Sequence, residues 1–196
     1  MESAAAVMLS AFALAAPMTP APASGDGGSR PEARVFASAG DPMVITRIER
    51  ADGEFELESL TLSAKNVSNE PIYFVQVVVL LPDAKDIPSG LPWYFLPSYG
   101  RPALMLGHDV PLLDDRPIMP GESVELTVSA TEYSWYRDYF LNRDGVLPTI
   151  TRYHVTIVNA TFGGRKSFNA SLADRLDEQG HKLPAGADGS LHSGNR

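Results

Sequence analysis

Between residues 44 and 168 the chain alternates apolar and polar residues with a period of two, in five segments set apart by clusters of Pro, Gly, Asn and Asp. A period of two places every second side chain on the same face of a strand. A strand face made of Val, Leu and Ile is stable only when a second layer covers it. The pattern selects a mainly β domain and leaves activity open.

In residues 44–50, Val44, Thr46 and Ile48 share one face and Arg47 and Glu49 the other. Asp52-Gly53 predicts a hairpin into a second strand over 55–65, with Leu60, Leu62 and Ala64 opposite Ser59, Thr61, Ser63 and Lys65. The stretch from Asn66 to Pro71 is built of residues that hydrogen-bond their own backbone. It leads into residues 72–81, apolar on both faces except at Gln76, as a central strand would be. Pro120-Gly121 precedes 123–129, where Val124, Leu126 and Val128 point one way. Ser129 and Glu132 form a Ser-x-x-Glu capping box, which predicts a helix over 130–142. A strand over 153–159 with Val155 and Ile157 inward, a Gly163-Gly164 turn and a short strand near Ser167 complete the set. Short strands, one late helix and no βαβ alternation predict an antiparallel immunoglobulin-like β-sandwich with one inserted helix and a long loop rich in Pro and aromatics.

The ends read differently. Residues 4–16 carry no charge, and Ala21-Pro22-Ala23 offers the small-x-small spacing of a signal-peptidase site. Residues 1–23 therefore read as a signal peptide, which predicts an extracytoplasmic protein, periplasmic or secreted. Glu2 stands where such leaders carry a basic residue, and the first basic residue is Arg30. The run is shorter than the roughly 20 apolar residues that span a bilayer. Residues 24–41 are rich in Gly and read as a flexible linker, 42–168 as the domain, and 169–196 as a disordered tail.

A formal net charge of -8 opposes binding to nucleic-acid phosphates, which needs clustered Lys and Arg. With no cysteine, disulfides, Cys-based zinc sites and thiol chemistry are excluded together.

Three stretches carry a likeness: Ala64 through Ile72, Tyr99-Gly100-Arg101-Pro102, and Ile118-Met119-Pro120-Gly121-Glu122 running on to Leu126. Together they resemble a group of uncharacterised exported bacterial proteins with Ig-like sandwich domains. The likeness covers roughly residues 42 to 168. It implies a fold and an exported location, and no catalytic residue.

Between Leu81 and Gly121 lie eight of the sixteen prolines together with Trp93, Tyr94, Phe95 and Tyr99. A connection that long asks for a reason. One is a stiff platform whose aromatic faces bind a partner protein or a surface glycan; the other is a crossover laid over a sheet, with those rings buried as a secondary core. On the expected helix Tyr133, Tyr136 and Phe140 share a stripe, and Trp135 with Tyr139 forms a second, either buried or exposed for recognition. Trp93, Tyr94, Phe95, Tyr99 and Trp135 are the expected contact residues of a non-catalytic module.

His108, Asp109, Asp114 and Asp115 are the best candidates for a metal cluster, but they lack the alternate-position spacing of a calcium loop and read as a solvated acidic segment. His154 has no Ser or Asp at a motif position that would make it a general base. No Gly-x-Ser-x-Gly, phosphate loop or His-Glu-x-x-His occurs, so no enzyme activity and no cofactor are expected. An enzyme would need acidic residues that meet only in the fold, for instance Asp109 and Asp114 with Glu132.

Overall fold

The structure is a computed structural model that describes residues 31–37, 40–50, 57–86, 89–105, 107 and 109–170 of the 196. The expected signal peptide, the Asp52-Gly53 turn, His108 and all of the expected tail after Ala170 lie outside these residues. In chain order the elements are β1 (Glu32–Phe36), β2 (Met43–Glu49), β3 (Thr61–Asn66), β4 (Ile72–Lys85), β5 (Pro92–Phe95), β6 (Ser98–Tyr99), a 3-10 turn (Pro102–Leu104), β7 (Ser123–Thr127), α1 (Ala130–Asp144), β8 (Arg152–Phe162) and β9 (Ser167–Asn169). Strands take 45% and helices 14% of the described residues, so the domain is mainly β.

Sheet I runs β1-β8-β4-β5, with β6 following β5 along β4 and β9 sharing with β1 the free side of β8. Sheet II is β2-β3-β7, antiparallel throughout. Leu62, Ala64 and Leu126 of sheet II, Val75, Val77, Val79, Val155 and Ile157 of sheet I, and Tyr133, Tyr136 and Phe140 of α1 belong to one buried core. Each of the buried Val, Leu, Ile and Phe side chains among them stabilises the fold by about 1.5–3 kcal/mol relative to an exposed position. The expected capping box of α1 holds, closed by Ser129 and Glu132, and the helix runs past the expected end at 142 to Asp144, stopping at Gly145, whose φ of 73° suits glycine.

Four expectations need correction. Val44 does not share the inward face with Ile48, because a bulge between Ile45 and Arg47 shifts the phase of β2. Met43, Ile45 and Ile48 meet the core instead. The stretch 24–41 contributes β1, an edge strand whose side chains are mostly exposed and which pairs in parallel with β8. A wholly antiparallel arrangement is thereby broken at this one described pair. Finally, the long connection after Leu81 holds structure: β4 continues to Lys85, and β5 and β6 return along it. Pro97 lies between β5 and β6, and its carbonyl accepts from Val77 N–H at 3.0 Å.

The chain crosses from sheet II to sheet I between β3 and β4, and Asn66 governs that crossing. Its wholly buried side chain donates through Nδ2 to the carbonyls of Glu70 at 2.9 Å and Ile118 at 2.8 Å. Its Oδ1 accepts from the N–H of Ser68 at 2.9 Å and from the Ser68 hydroxyl at 2.7 Å. The Asn66 N–H donates to Glu122 O, and the Asn66 carbonyl accepts from Gly121 N–H, both at 2.9 Å. The residues around Asn66 thus fix not only their own turn but also the approach to β7.

Replacing Asn66 by Ala orphans these buried groups, and urea denaturation should show a loss of about 2–3 kcal/mol. Asn66→Asp should cost at least as much, because it turns an oxygen toward two carbonyls. Asn69→Ala, on the exposed side of the same turn, should stay within about 0.5 kcal/mol. Equal losses at the two positions would remove Asn66 from its role.

Candidate functional site

The segment Tyr99-Gly100-Arg101-Pro102 ends β6 and enters the 3-10 turn. At Gly100 φ is 91°, and an added Cβ would lie 2.1 Å from the Tyr73 carbonyl oxygen, so no other residue fits. On either side of this glycine a side chain reaches across to the following loop. The Tyr99 hydroxyl donates to the Arg116 carbonyl at 2.9 Å. Arg101 donates through Nη1 to Asp109 at 2.6 Å, through Nε and Nη2 to Asp115 at 3.3 and 3.0 Å, and through Nη2 to the Val110 carbonyl at 3.1 Å. The planar guanidinium fork of Arg101 holds two carboxylates and a carbonyl at once, with a two-point grip on Asp115 that a lysine ammonium does not match.

Each carboxylate also takes a backbone N–H of the loop: Asp109 accepts from Val110 at 2.9 Å and Asp115 from Leu112 at 2.8 Å. Hydrogen bonds from Arg101 hold both carboxyls below their ordinary range, with these N–H donors adding to the effect. The far end is closed by Ile118, which is 3% exposed and pairs with Ile72 through bonds of 3.1 and 2.7 Å. Between these anchors the loop turns apolar groups outward. Val110 and Leu112 are 46% and 53% exposed and Leu113 is wholly so, and Met119, the residue just past the Ile118 anchor, is 44% exposed.

The expected contact residues do not form one surface. Alternation along β5 sends Trp93 and Phe95 to the core and Tyr94 to the opposite face of sheet I. Phe95 is buried. The half-buried ring of Trp93 lies 5.9, 5.2 and 5.6 Å from those of Tyr136, Tyr139 and Phe140. Tyr94 packs near Val78 and Leu80, and burial pushes its hydroxyl pKa up. Tyr99 packs partly against the core, and among the five only Trp135, at 56%, stands exposed. Trp93 and Phe95 thus fill the place of a secondary core, and the helix stripes split: Tyr133, Tyr136 and Phe140 inside, Tyr139 half-buried, Trp135 outside.

Polar contacts clamp the helix on the β4–β5 hairpin. The Glu132 carboxylate accepts from Leu96 N–H at 2.9 Å as well as from Ser129. Arg143 donates to the Lys85 carbonyl at 2.8 Å, with its guanidinium carbon 4.6 Å from the centre of the Phe140 ring, while the Tyr139 hydroxyl donates to Asp86.

Among the described residues no group of three or more His, Asp or Glu could hold a metal ion. Asp109 is taken by Arg101, and Glu132 by the helix start. His154 packs edge-on to Phe36 with ring centres 4.9 Å apart. An open cleft of about 630 Å³ lies beside Arg50, whose guanidinium bridges Pro31 O at 2.8 Å and the Tyr153 hydroxyl at 3.5 Å. No helix of the described residues is long and apolar enough to cross a membrane.

Sequence reasoning missed Val110, Leu112 and Leu113. The signal was there: Val110-Pro111-Leu112-Leu113 is an apolar run without alternation inside an acidic loop. Comparison with known proteins adds nothing, since no family model, no curated protein and no solved structure matches the chain.

The brace has a pH signature. A carboxyl whose folded pKa is depressed contributes stability above its ordinary value near 3.8 and loses it as pH falls through the depressed value. Amide protection at Val110 and Leu112, corrected for intrinsic exchange, should therefore hold at neutral pH, begin to fall only below the ordinary carboxyl value near 3.8, and be lost once pH drops through the depressed values of the two carboxyls. Arg101→Met should abolish that protection already at pH 7 while the amides of β4 and β8 stay protected. Full protection in the variant would show the brace to be idle.

Proposed function

We propose that the chain is a non-catalytic, exported module with an Ig-like sandwich, and that it works by holding another protein against the braced loop of residues 109–119. The observation that carries this is the pairing of a wholly exposed Leu113 with a loop immobilised by Arg101 and its two carboxylates. Exposed leucines on a loop already ordered can be buried by a partner without the entropy of ordering the loop being lost at that step.

The strand order supports the Ig-like assignment. With β2, β3 and β7 lettered A, B and E, and β5, β4, β8 and β9 lettered C′, C, F and G, one sheet reads A-B-E and the other C′-C-F-G. Helix α1 then occupies the E–F connection. Support for export comes from the uncharged run 4–16 followed by Ala21-Pro22-Ala23. A surface glycan finds less support, because stacking on a sugar favours several exposed rings and Trp135 is the one exposed ring of the five expected contacts.

The test is a photo-crosslinking residue at position 113, in cells of the source organism, with position 49 as control. One protein should be labelled from 113 and not from 49. Its purified form should bind the wild-type chain, and Leu112→Ser with Leu113→Ser should weaken binding by about a hundredfold, from about 1.5 kcal/mol or more per buried leucine. Loss of binding with Trp135→Ala and none with the leucine pair would move the contact to α1 and sink the loop assignment.

A further inference from the structure

The hairpin that joins β8 to β9 turns on Gly163-Gly164-Arg165-Lys166. Two successive residues in it take a positive φ, Gly164 at 72° and Arg165 at 66°. Glycine adopts that region freely, whereas a Cβ crowds the backbone there, and Asn or Asp are the usual exceptions. Among the described residues Arg165 is the only non-glycine with a positive φ. Its side chain is exposed and makes no ion pair with any described residue. The neighbouring cations are matched from within the chain: Lys166 pairs with Glu70 and lies over the Phe162 ring, and Arg101 is held by Asp109 and Asp115. In a chain of formal net charge -8, a strained cation with no carboxylate of its own stands out on two independent counts. Backbone strain of this kind clusters at sites of contact and catalysis.

The turn borders the braced loop at both of the loop's ends. Gly107 lies two residues before Asp109, and a Cβ placed on it would be 3.3 Å from the Ser167 side chain and 3.5 Å from the Arg165 carbonyl oxygen. Ile118, which closes the loop, bonds to Ile72, and Ile72 lies opposite Phe162 at the start of the turn. Asp114 and Arg116, both exposed on the loop, offset each other in charge. Arg165 therefore sits at the margin of the loop that carries Leu112 and Leu113, with its guanidinium unanswered.

We propose that Arg165 is a second contact point of that surface, and that the partner protein sets a carboxylate against it. With the loop reading as its basis, this contact adds the partner's chemistry: an apolar patch flanked by an Asp or Glu side chain, which a guanidinium grips through two N–H donors. The probe is the protein labelled from position 113, purified, and every variant is made in the full chain. Arg165→Gly should bind it about tenfold more weakly, as an interfacial arginine commonly does when truncated. The remaining affinity should depend less on NaCl concentration than that of the wild type. The urea midpoint of Arg165→Gly should equal or exceed the wild-type value, because glycine relieves the strain. Arg165→Lys should recover only part of the affinity. Binding lost in Arg165→Glu should return when one Asp or Glu of the probe is changed to Lys. Wild-type affinity in Arg165→Gly, with the leucine pair still required, would overturn the proposal and leave the loop reading standing. No labelled protein, or one that binds regardless of the leucine pair, would remove both. Lost binding together with a lowered midpoint would overturn it in favour of Arg165 holding the turn itself.

Discussion

A carboxamide taken wholly out of water has four hydrogen-bonding positions to fill, and each one left empty costs on the order of 1–3 kcal/mol. At Asn66 two donors and two acceptor contacts are satisfied, by Glu70, Ile118 and Ser68. The consequence is geometric. The turn between β3 and β4, the bridge of Ile118 to Ile72 and the Gly121-Glu122 entry to β7 cannot move separately without orphaning a buried group. The crossing between the sheets and the end of the long loop are therefore one unit. Gly100 does the same at the loop's start through contact instead of hydrogen bonding, since its backbone lies against Tyr73 where no Cβ has room. The three sequence stretches singled out for their likeness to exported proteins turn out to be these two anchors and the strand they lead into.

At the other end of sheet I the aromatic residues act in the same structural sense. Trp93 and Phe95 take alternate positions on β5, face the rings of Tyr136, Tyr139 and Phe140, and are held there by Glu132 at one end of α1 and Arg143 at the other. A helix of fifteen residues is marginal by itself in water, so its order depends on this packed face and its caps. The same rings that look like a binding platform in the sequence are what keeps the helix in place.

What could be read from the sequence follows how local its cause is. Alternation in β3, β7 and β8, the capping box at Ser129 and the Gly163-Gly164 turn involve neighbours a few residues apart, and each was legible. The bulge at β2 was not, because its phase shift answers to the partner strand. β1 was hidden because an edge strand needs few apolar residues, and Glu32, Ala33 and Arg34 carry no buried face. β5 was masked by prolines that suit an edge strand as well as a loop. At the candidate site, the exposure of Leu112 and Leu113 depends on Arg101 meeting Asp109 and Asp115, eight and fourteen residues away, which no periodicity encodes.

The division of apolar surface then gains a meaning. Trp93 and Phe95 of the long connection went inward, where they fasten α1, while aliphatic groups later in the same connection went outward on a segment with little freedom to fold them back. An exposed leucine on a slack loop can hide by collapse onto the nearest apolar surface. On this loop the Arg101 fork, the Tyr99 hydroxyl and the Ile118 bridge oppose collapse, so the apolar side chains remain available to solvent or to another molecule. Surface that a fold keeps exposed by dedicated interactions differs physically from surface left exposed for want of enough polar residues to cover it. That difference is the reason for placing the proposed partner contact on the loop from Asp109 to Met119 instead of on a ring of β5 or α1.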